Sequence, residues 1–421
     1  MVIPRYGTSG SGYHVAMIHF SNKSRPYHYG PIPLERIRRN PATAQTEESL
    51  PPVSRPSPGA SGSGTLTESI GKYHRIFHSL RADEPASAKA PVPDDLARRS
   101  VDIKGSAYFL NASQVGICEM PVNGWLRGSA PLAHSHAVVS VVEVPRTPEA
   151  DSLAASWVGE TAESVATFRA YEVAISVANH IQKMGYSAVA HDQVEGDVDL
   201  DRLSVLAGVA FRDGETTSNP WLDDCYVVCA VTTDYELATD LPLDPRAAVK
   251  AKGLGYWLGL GGATSGLERW RQNSRPTYLS KFAMETVDTV DKPTTLIIDE
   301  EVPRVPKRAS FFERPVHGDL GDKAKHERTR FSFKHPLAAA MVKQIMAMVP
   351  YQDGDIADEP DATCSDPDEN ARAIKSLSYM LGAELTGLCE IPDYAWYSHV
   401  DKGRPVTRNH KYAVVMLIDQ E

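Results

Sequence analysis

The apolar positions along the chain change period several times, and each change marks an element. Leu66–Leu80 carries Ile70, Tyr73, Ile76, Phe77 and Leu80 at helical spacing. A second helix is capped by Asp94 or Asp95, shows the stripe Ile103, Ala107 and Leu110, and stops where Asn111 can turn left-handed. Val115–Cys118 then reads as a short buried strand, and Ala137–Val144 (AVVSVVEV) as a strongly β-branched one. Thr161–Met184 is a long helix whose apolar residues recur at three and four, with Gly185 closing it. Tyr186–Ala190 is strand-like, Leu203–Phe211 is apolar without a clear period, and Cys225–Thr233 is another strand. His335–Met348 is a helix with Pro336 at its first position. The alternation predicts an α/β or α+β sandwich.

The same grammar occurs twice. Ile103–Pro121 (IKGSAYFLNASQVGICEMP) and Ile374–Pro392 (IKSLSYMLGAELTGLCEIP) align without gaps at Ile, Lys, Tyr, Leu, Ala, Gly, Cys, Glu and Pro, and the register reaches Trp125 and Trp396. HSHAVVSVV from His134 is echoed by NHKYAVVML from Asn409. We read this as an internal duplication with the period of a domain. The second occurrence opens at Asp366-Pro367-Asp368-Glu369, a cap, a first-position proline and a Glu three residues on. It reaches Glu421 in the middle of the strand that answers Ala137–Val144, so the second copy is expected to be truncated.

Between these parts lie less regular stretches. Residues 1–40 read as an extended arm, and 41–65, rich in Pro, Ser, Gly and Ala, as a disordered linker. KGLGYWLGLGGATSG from Lys252 invites a phosphate-loop reading, but it matches neither G-x-G-x-x-G nor G-x-x-x-x-G-K-[ST], and turns or close backbone packing account for it better. Arg275–Pro315 is extended. Its Pro303-Arg304-Val305-Pro306-Lys307-Arg308 run is a solvated basic face or a holder for the anionic periphery of a cofactor. The acidic Asp353–Asn370 lacks the glycine and terminal Glu of a calcium loop.

Composition narrows the functional classes. The chain has 421 residues, enough for two or three domains, and a formal net charge of -10, which disfavours nucleic acid as a partner. No apolar run is long enough to span a membrane and no export signal opens the chain, so a cytoplasmic protein without a membrane partner is expected. The cysteines Cys118, Cys225, Cys229, Cys364 and Cys389 are scattered, which argues against a disulfide framework and for core packing of Cys118, Cys225, Cys229 and Cys389. There is no H-E-x-x-H, G-x-S-x-G or C-x-x-C, and His134 with His136 is too little for a metal. Motifs alone name no reaction.

Taken together, PRVPKRASFFERPVHGDLGDK from Pro303, FSFKHPLAAAMVKQIM from Phe331, and Ile374–Pro392 with KYAVVMLID after it resemble the catalytic subunit of reductive dehalogenases, the cytoplasmic, catabolic type. HIQKMGYSAVA from His180 and TTDYELATDLPLDP from Thr232 resemble the same family's core as an upstream copy. The resemblance implies a duplicated nitroreductase-like sandwich. Residues 66–250 would be a degenerate, cofactor-less first copy, 251–335 an extended connecting segment, and 336–421 the start of a second, corrinoid-binding copy. It implies cobalamin held without a protein histidine, two [4Fe–4S] clusters, a small organohalide substrate, and a ferredoxin or flavin reductase as electron donor.

The departures limit what this chain is expected to do. The C-x2-C-x2-C-x3-C-P runs that would hold the clusters are missing. The family's catalytic tyrosine and its basic partners would follow Asp419, so no catalytic residue is assigned here. Phe311 and Phe312 are expected to wall the substrate pocket, against ordinary core packing; Trp396 and Tyr397 are expected to approach the corrin. Two other readings stay open. The chain is either an inert binding or assembly module that holds no cofactor, or a flavin-dependent nitroreductase-like enzyme.

Overall fold

A computed structural model describes residues 25–55, 66–158, 161–288, 290, 294–330, 334–354, 356–400 and 403–419. The expectations for residues 1–24, 56–65 and the start of FSFK at 331–333 lie outside the described residues. The helices of the first half are α1 (Ala42–Ser49), α2 (Leu66–His78), α3 (Leu96–Phe109), α4 (Leu153–Val158), α5 (Ala162–Lys183) and α6 (Leu200–Leu206). The strands are β1 (Gln114–Glu119), β2 (His136–Glu143), β3 (Ala188–His191), β4 (Phe211–Asp213), β5 (Thr216–Ser218) and β6 (Tyr226–Thr233).

One antiparallel sheet, ordered β1-β2-β6-β3, carries the first unit, and β4 with β5 forms a separate ribbon. In the sheet, Val138 stands opposite Val231, Ser140 opposite Cys229 and Val142 opposite Val227. Alternation sends Val138, Val142, Val227, Cys229 and Val231 into one core, and Val139, Val141, Val228 and Ala230 into another. α5 covers the first face with Ile175, Ala178 and Ile181, none of them exposed. The second face is covered by Leu203 and Leu206 of α6, by Trp221, and by Ile32, Leu34 and Ile37 of the N-terminal arm. The fold is therefore mixed α/β with small antiparallel sheets.

The sequence pattern and the observed elements part in a few places. Inside the stretch expected to be a linker, the good helix formers of Ala42–Ser49 make α1, and Glu47 is buried against Arg212, 2.6 Å away. The aperiodic Leu203–Phe211 splits into a helix and a strand. Asp199 caps α6 by accepting from the Arg202 amide at 3.0 Å, and Gly208 at φ +66° ends the turn before β4. Cys225 falls one residue before β6 and is exposed, while Cys229 is buried in the sheet core. A short helix, α7 (Pro245–Ala248), ends the first unit, and the segment 251–335, expected to be extended, contains the short helices α8 (Leu254–Trp257), α9 (Gly266–Asn273) and α10 (Asp322–Glu327).

The second half adds α11 (Pro336–Met348), α12 (Pro367–Met380) and the hairpin-like pair β7 (Leu385–Glu390) and β8 (Tyr412–Leu417). α11 lies on α5, where Gln344 accepts from the Ser176 hydroxyl at 3.1 Å and donates to the Glu172 carbonyl at 3.0 Å. α12 docks on α2, α4 and α5 through Met380 and Leu377, which pack with Ile70, Val158 and Val165.

The units α12-β7-β8 and α3-β1-β2 share several local bonds. Asp95 caps α3 by accepting from the Ala97 amide at 2.9 Å, and Asp366 caps α12 from the Asp368 amide at 2.9 Å. Asn111 at φ +68° and Gly382 at φ +101° stop the two helices. The Tyr108 hydroxyl accepts from the Val115 amide at 3.0 Å, and the Tyr379 hydroxyl accepts from the Thr386 amide at 3.2 Å. Cys118 stands opposite Ala137, and Cys389 opposite Ala413.

Candidate cofactor and substrate site

The two stretches that carry the sequence-based site residues meet in the structure. Pro303 and Pro306 hold the chain between them extended, and Arg304 reaches across it. Its Nε donates to the Trp396 carbonyl at 3.3 Å, and its Nη2 to the carbonyls of Tyr397 at 2.6 Å and Val406 at 3.3 Å. Two backbone bonds close the seam: Ser398 N–H to the Val305 oxygen at 2.8 Å and Lys307 N–H to the His399 oxygen at 2.8 Å. A planar guanidinium suits such a set of converging carbonyls. Arg304 is thus engaged with the backbone carbonyls of Trp396, Tyr397 and Val406, and so ties this basic run to that stretch.

Phe311 and Phe312 follow one turn later. They are 69% and 86% exposed and meet each other edge to face, with ring centroids 5.5 Å apart. Core packing is excluded for both. Around them the charges are largely paired, Arg308 with Asp319 at 3.0 Å and Lys307 with Glu313 at 3.8 Å.

The second unit differs from the first in what covers it. In the first, Trp125 is buried and meets His191 edge-on, and the β2 valines are buried on both faces. In the second, Trp396 is half-buried, Cys389 is exposed, and Val414, Val415, Met416 and Leu417 are 42–58% exposed. The reason is coverage: β2 lies between β1 and β6 under α5, whereas among the described residues β8 pairs only with β7. The result is an open apolar surface with aromatic side chains at its margin, suited to a large, partly apolar partner.

A broad apolar face of this kind suits a corrinoid ring in chemistry. An iron–sulfur cluster does not fit this chain. Cys118 and Cys229 are fully buried, and burial pushes both thiols far above their ordinary range. Cys225, Cys364 and Cys389 lie on separate elements, and no group of three His, Cys, Asp or Glu is placed to hold a metal ion among the described residues.

Sequence reasoning did not find the polar cluster inside the first unit. His74 bonds Asp192 in the core and stacks on Tyr171, with centroids 4.8 Å apart. His78 Nδ1 lies 3.0 Å from the Tyr171 hydroxyl and 2.7 Å from Glu195. Both histidines stand four apart on α2, which was the available signal. The cluster ties α2 to α5 and to the loop after β3.

No family model and no curated protein matches the chain. Solved structures do. The chain is similar to a catabolic reductive dehalogenase, NpRdhA, with 37% identity over 97% of this chain and a TM-score of 0.86. The same holds for that protein in complex with 3-bromo-4-hydroxybenzoic acid, at 37% identity, 97% coverage and TM-score 0.86. A further reductive dehalogenase structure, described as suggesting a mechanism for B12-dependent dehalogenation, matches 96% of this chain at 37% identity and TM-score 0.85. The chain spans only 58–59% of the length of these structures. No helix among the described residues is long and apolar enough to cross a membrane.

Proposed function

We propose that this chain, which belongs to the reductive dehalogenase family, forms the front part of a corrinoid-dependent enzyme that removes halide from an organohalide. The observation that carries the reading is the 37% identity over 97% of the chain to a dehalogenase seen with a brominated hydroxybenzoate. The overall change is R–X plus two electrons and one proton to R–H plus X⁻. When bound, cobalamin supplies the low-valent cobalt chemistry that cleaves the carbon–halogen bond.

This chain's own residues bind and orient. Trp396 and Tyr397, held by the Arg304 clamp, lie along the edge of the corrinoid surface. Phe311 and Phe312, exposed and in edge-to-face contact, provide aromatic walls for a halogenated ring. We further read α3-β1-β2 and α12-β7-β8 as two copies of a nitroreductase-like unit. The first, residues 66–250, is filled by its own side chains and by the N-terminal arm; the second, from residue 336, keeps an open face. The [4Fe–4S] ligands, the proton donor and the contact with an electron donor belong to the remaining length of the relatives, and the protein is expected to act in the cytoplasm.

The test is to sequence the DNA beyond the Glu421 codon and express the whole frame. The expected result is a tyrosine-bearing segment, two cysteine-rich cluster motifs, and bromide release from 3-bromo-4-hydroxybenzoate after reconstitution with cobalamin. A frame that stops cleanly, without such motifs nearby, would overturn the enzymatic reading and leave an inert assembly module. In the active protein, Phe312→Ala is expected to raise KM about tenfold with kcat nearly unchanged; an unchanged KM removes Phe312 from the pocket.

A further inference from the structure

We propose that the glycine-rich loop before α9 is a second ligand site, taking a phosphomonoester with an aromatic body, in a cavity of about 370 Å³ between this loop, α7 and the N-terminal arm. The sequence KGLGYWLGLGGATSG departs from known phosphate loops, and its backbone was expected to serve only turns. Turns explain Gly259 and Gly262, at φ +69° and +71°. They leave other features without a partner.

The first feature is the backbone. A left-handed Gly262 turns its neighbouring amides toward one side, the geometry of an anion-binding nest. The Gly262 amide bonds the Gly259 carbonyl, but the Gly261 and Ala263 amides donate to nothing among the described residues. Gly261 is buried, and its carbonyl is fixed from behind by Arg25 at 2.8 Å. Gly261 and Ala263 both line the cavity.

The second is charge. Three acids on the surrounding elements are already paired: Glu35 with Arg25 at 2.9 Å, Asp244 with Arg38, and Asp223 with Lys252 at 2.5 Å. Arg36 and Lys250 also line it, and neither makes a hydrogen bond or ion pair through its side chain among the described residues. Arg36 lies against the nest, 3.5 Å from where a Cβ on Gly261 would stand. Two unpaired cations beside two unused amides suit a dianion with several acceptor oxygens.

The third is the apolar wall. Trp221 and Tyr256 meet with centroids 4.8 Å apart and both line the cavity. Trp221 is only 6% exposed, and its indole N–H has no acceptor. A buried donor without a partner calls for one from outside the chain. The aromatic pair gives the body of the ligand a surface to stack on.

The experiment titrates the full chain with phenyl phosphate and with inorganic phosphate, read by tryptophan fluorescence and by phosphorus NMR. Phenyl phosphate is expected to bind about tenfold more tightly than phosphate, and Arg36→Gln and Lys250→Gln each to weaken it about tenfold. Both side chains are exposed, so far-UV CD is expected to be unchanged. Gly261→Ala meets only ordinary contacts yet places a methyl group in the nest, and is expected to abolish binding. No binding of phenyl phosphate at about 10 mM, equal affinity for the two probes, or affinity indifferent to all three substitutions overturns the proposal. None of these readouts uses dehalogenation, so their failure leaves the enzymatic reading untouched.

Discussion

At the scale of single residues, the two occurrences of the repeat let one substitution be tried in two environments. The Tyr108 hydroxyl satisfies a buried amide in a filled core, whereas Tyr379 does the same on a half-covered sheet. Tyr108→Phe strands the Val115 N–H and is expected to cost about 1–3 kcal/mol; Tyr379→Phe leaves an amide that water can reach and is expected to cost under about 1 kcal/mol. Chemical denaturation of both variants checks the order. Burial also sets a pH dependence. His191, facing Thr232, His134, Arg81, Asp192 and Asp197, is pushed down to about 3, chiefly by desolvation, and His180 to about 4, by desolvation and His335. Both are neutral in the fold and protonated in the unfolded chain below about 6.5. The unfolded state therefore binds more protons in acid. Stability from these groups is full above about pH 6.5 and falls as pH drops toward 4, with a slope of up to about 1.4 kcal/mol per pH unit for each. His191→Gln is expected to flatten that slope, and melting scans between pH 4 and 7 will show whether it does.

At the scale of elements, the same letter in the same register means different things. Gly116 in β1 is forced by a close approach: a Cβ there would stand 2.1 Å from the Ala207 carbonyl. Gly387, its counterpart in β7, has nothing within 4 Å. Gly116→Ala is expected to cost about 3 kcal/mol or more, and Gly387→Ala close to nothing or a slight gain, since alanine suits a strand better than glycine. Equal costs would mean that β7 is covered as β1 is. This contrast also shows what the sequence could reveal. Caps, stops and β-branched runs are local, so the Asp94–Asp95 cap, Asn111, Asp366, β2 and β6 were all legible from spacing. Coverage is not local. Nothing in LTGLCE distinguishes it from QVGICE, yet one strand is buried and the other open. The same limit hid the role of Arg304. Its basic charge and flanking prolines were visible, but the three carbonyls it binds come from about a hundred residues downstream. Phe311 and Phe312 were legible as aromatic, while their exposure follows from tertiary placement alone.

At the scale of the whole molecule, the open second unit has a physical consequence. β8 presents Val414, Val415, Met416, Leu417 and Ile418 at 42–69% exposure, on a two-stranded sheet whose outer edges pair with nothing among the described residues. A two-stranded sheet is marginal by itself, and an apolar strand with a free edge recruits other strands. The first unit shows what resolves this: a third strand beside β2 and a long helix laid across the face. In the longer protein of our proposal, the residues beyond Glu421 would supply those layers and the corrinoid would share the face with them. Expressed as 421 residues, the chain is therefore expected to self-associate, and residues up to about Pro315 to behave better. Val415→Lys places a charge on the strand and is expected to shift the full chain toward monomer without lowering the melting temperature of the first unit, because β7-β8 is not part of that core. Sedimentation velocity on the chain, the shortened form and the variant decides it. A monodisperse parent chain would mean that β7-β8 finds cover from within residues 1–421, and the assignment of its open face to a cofactor and a downstream segment would have to be given up.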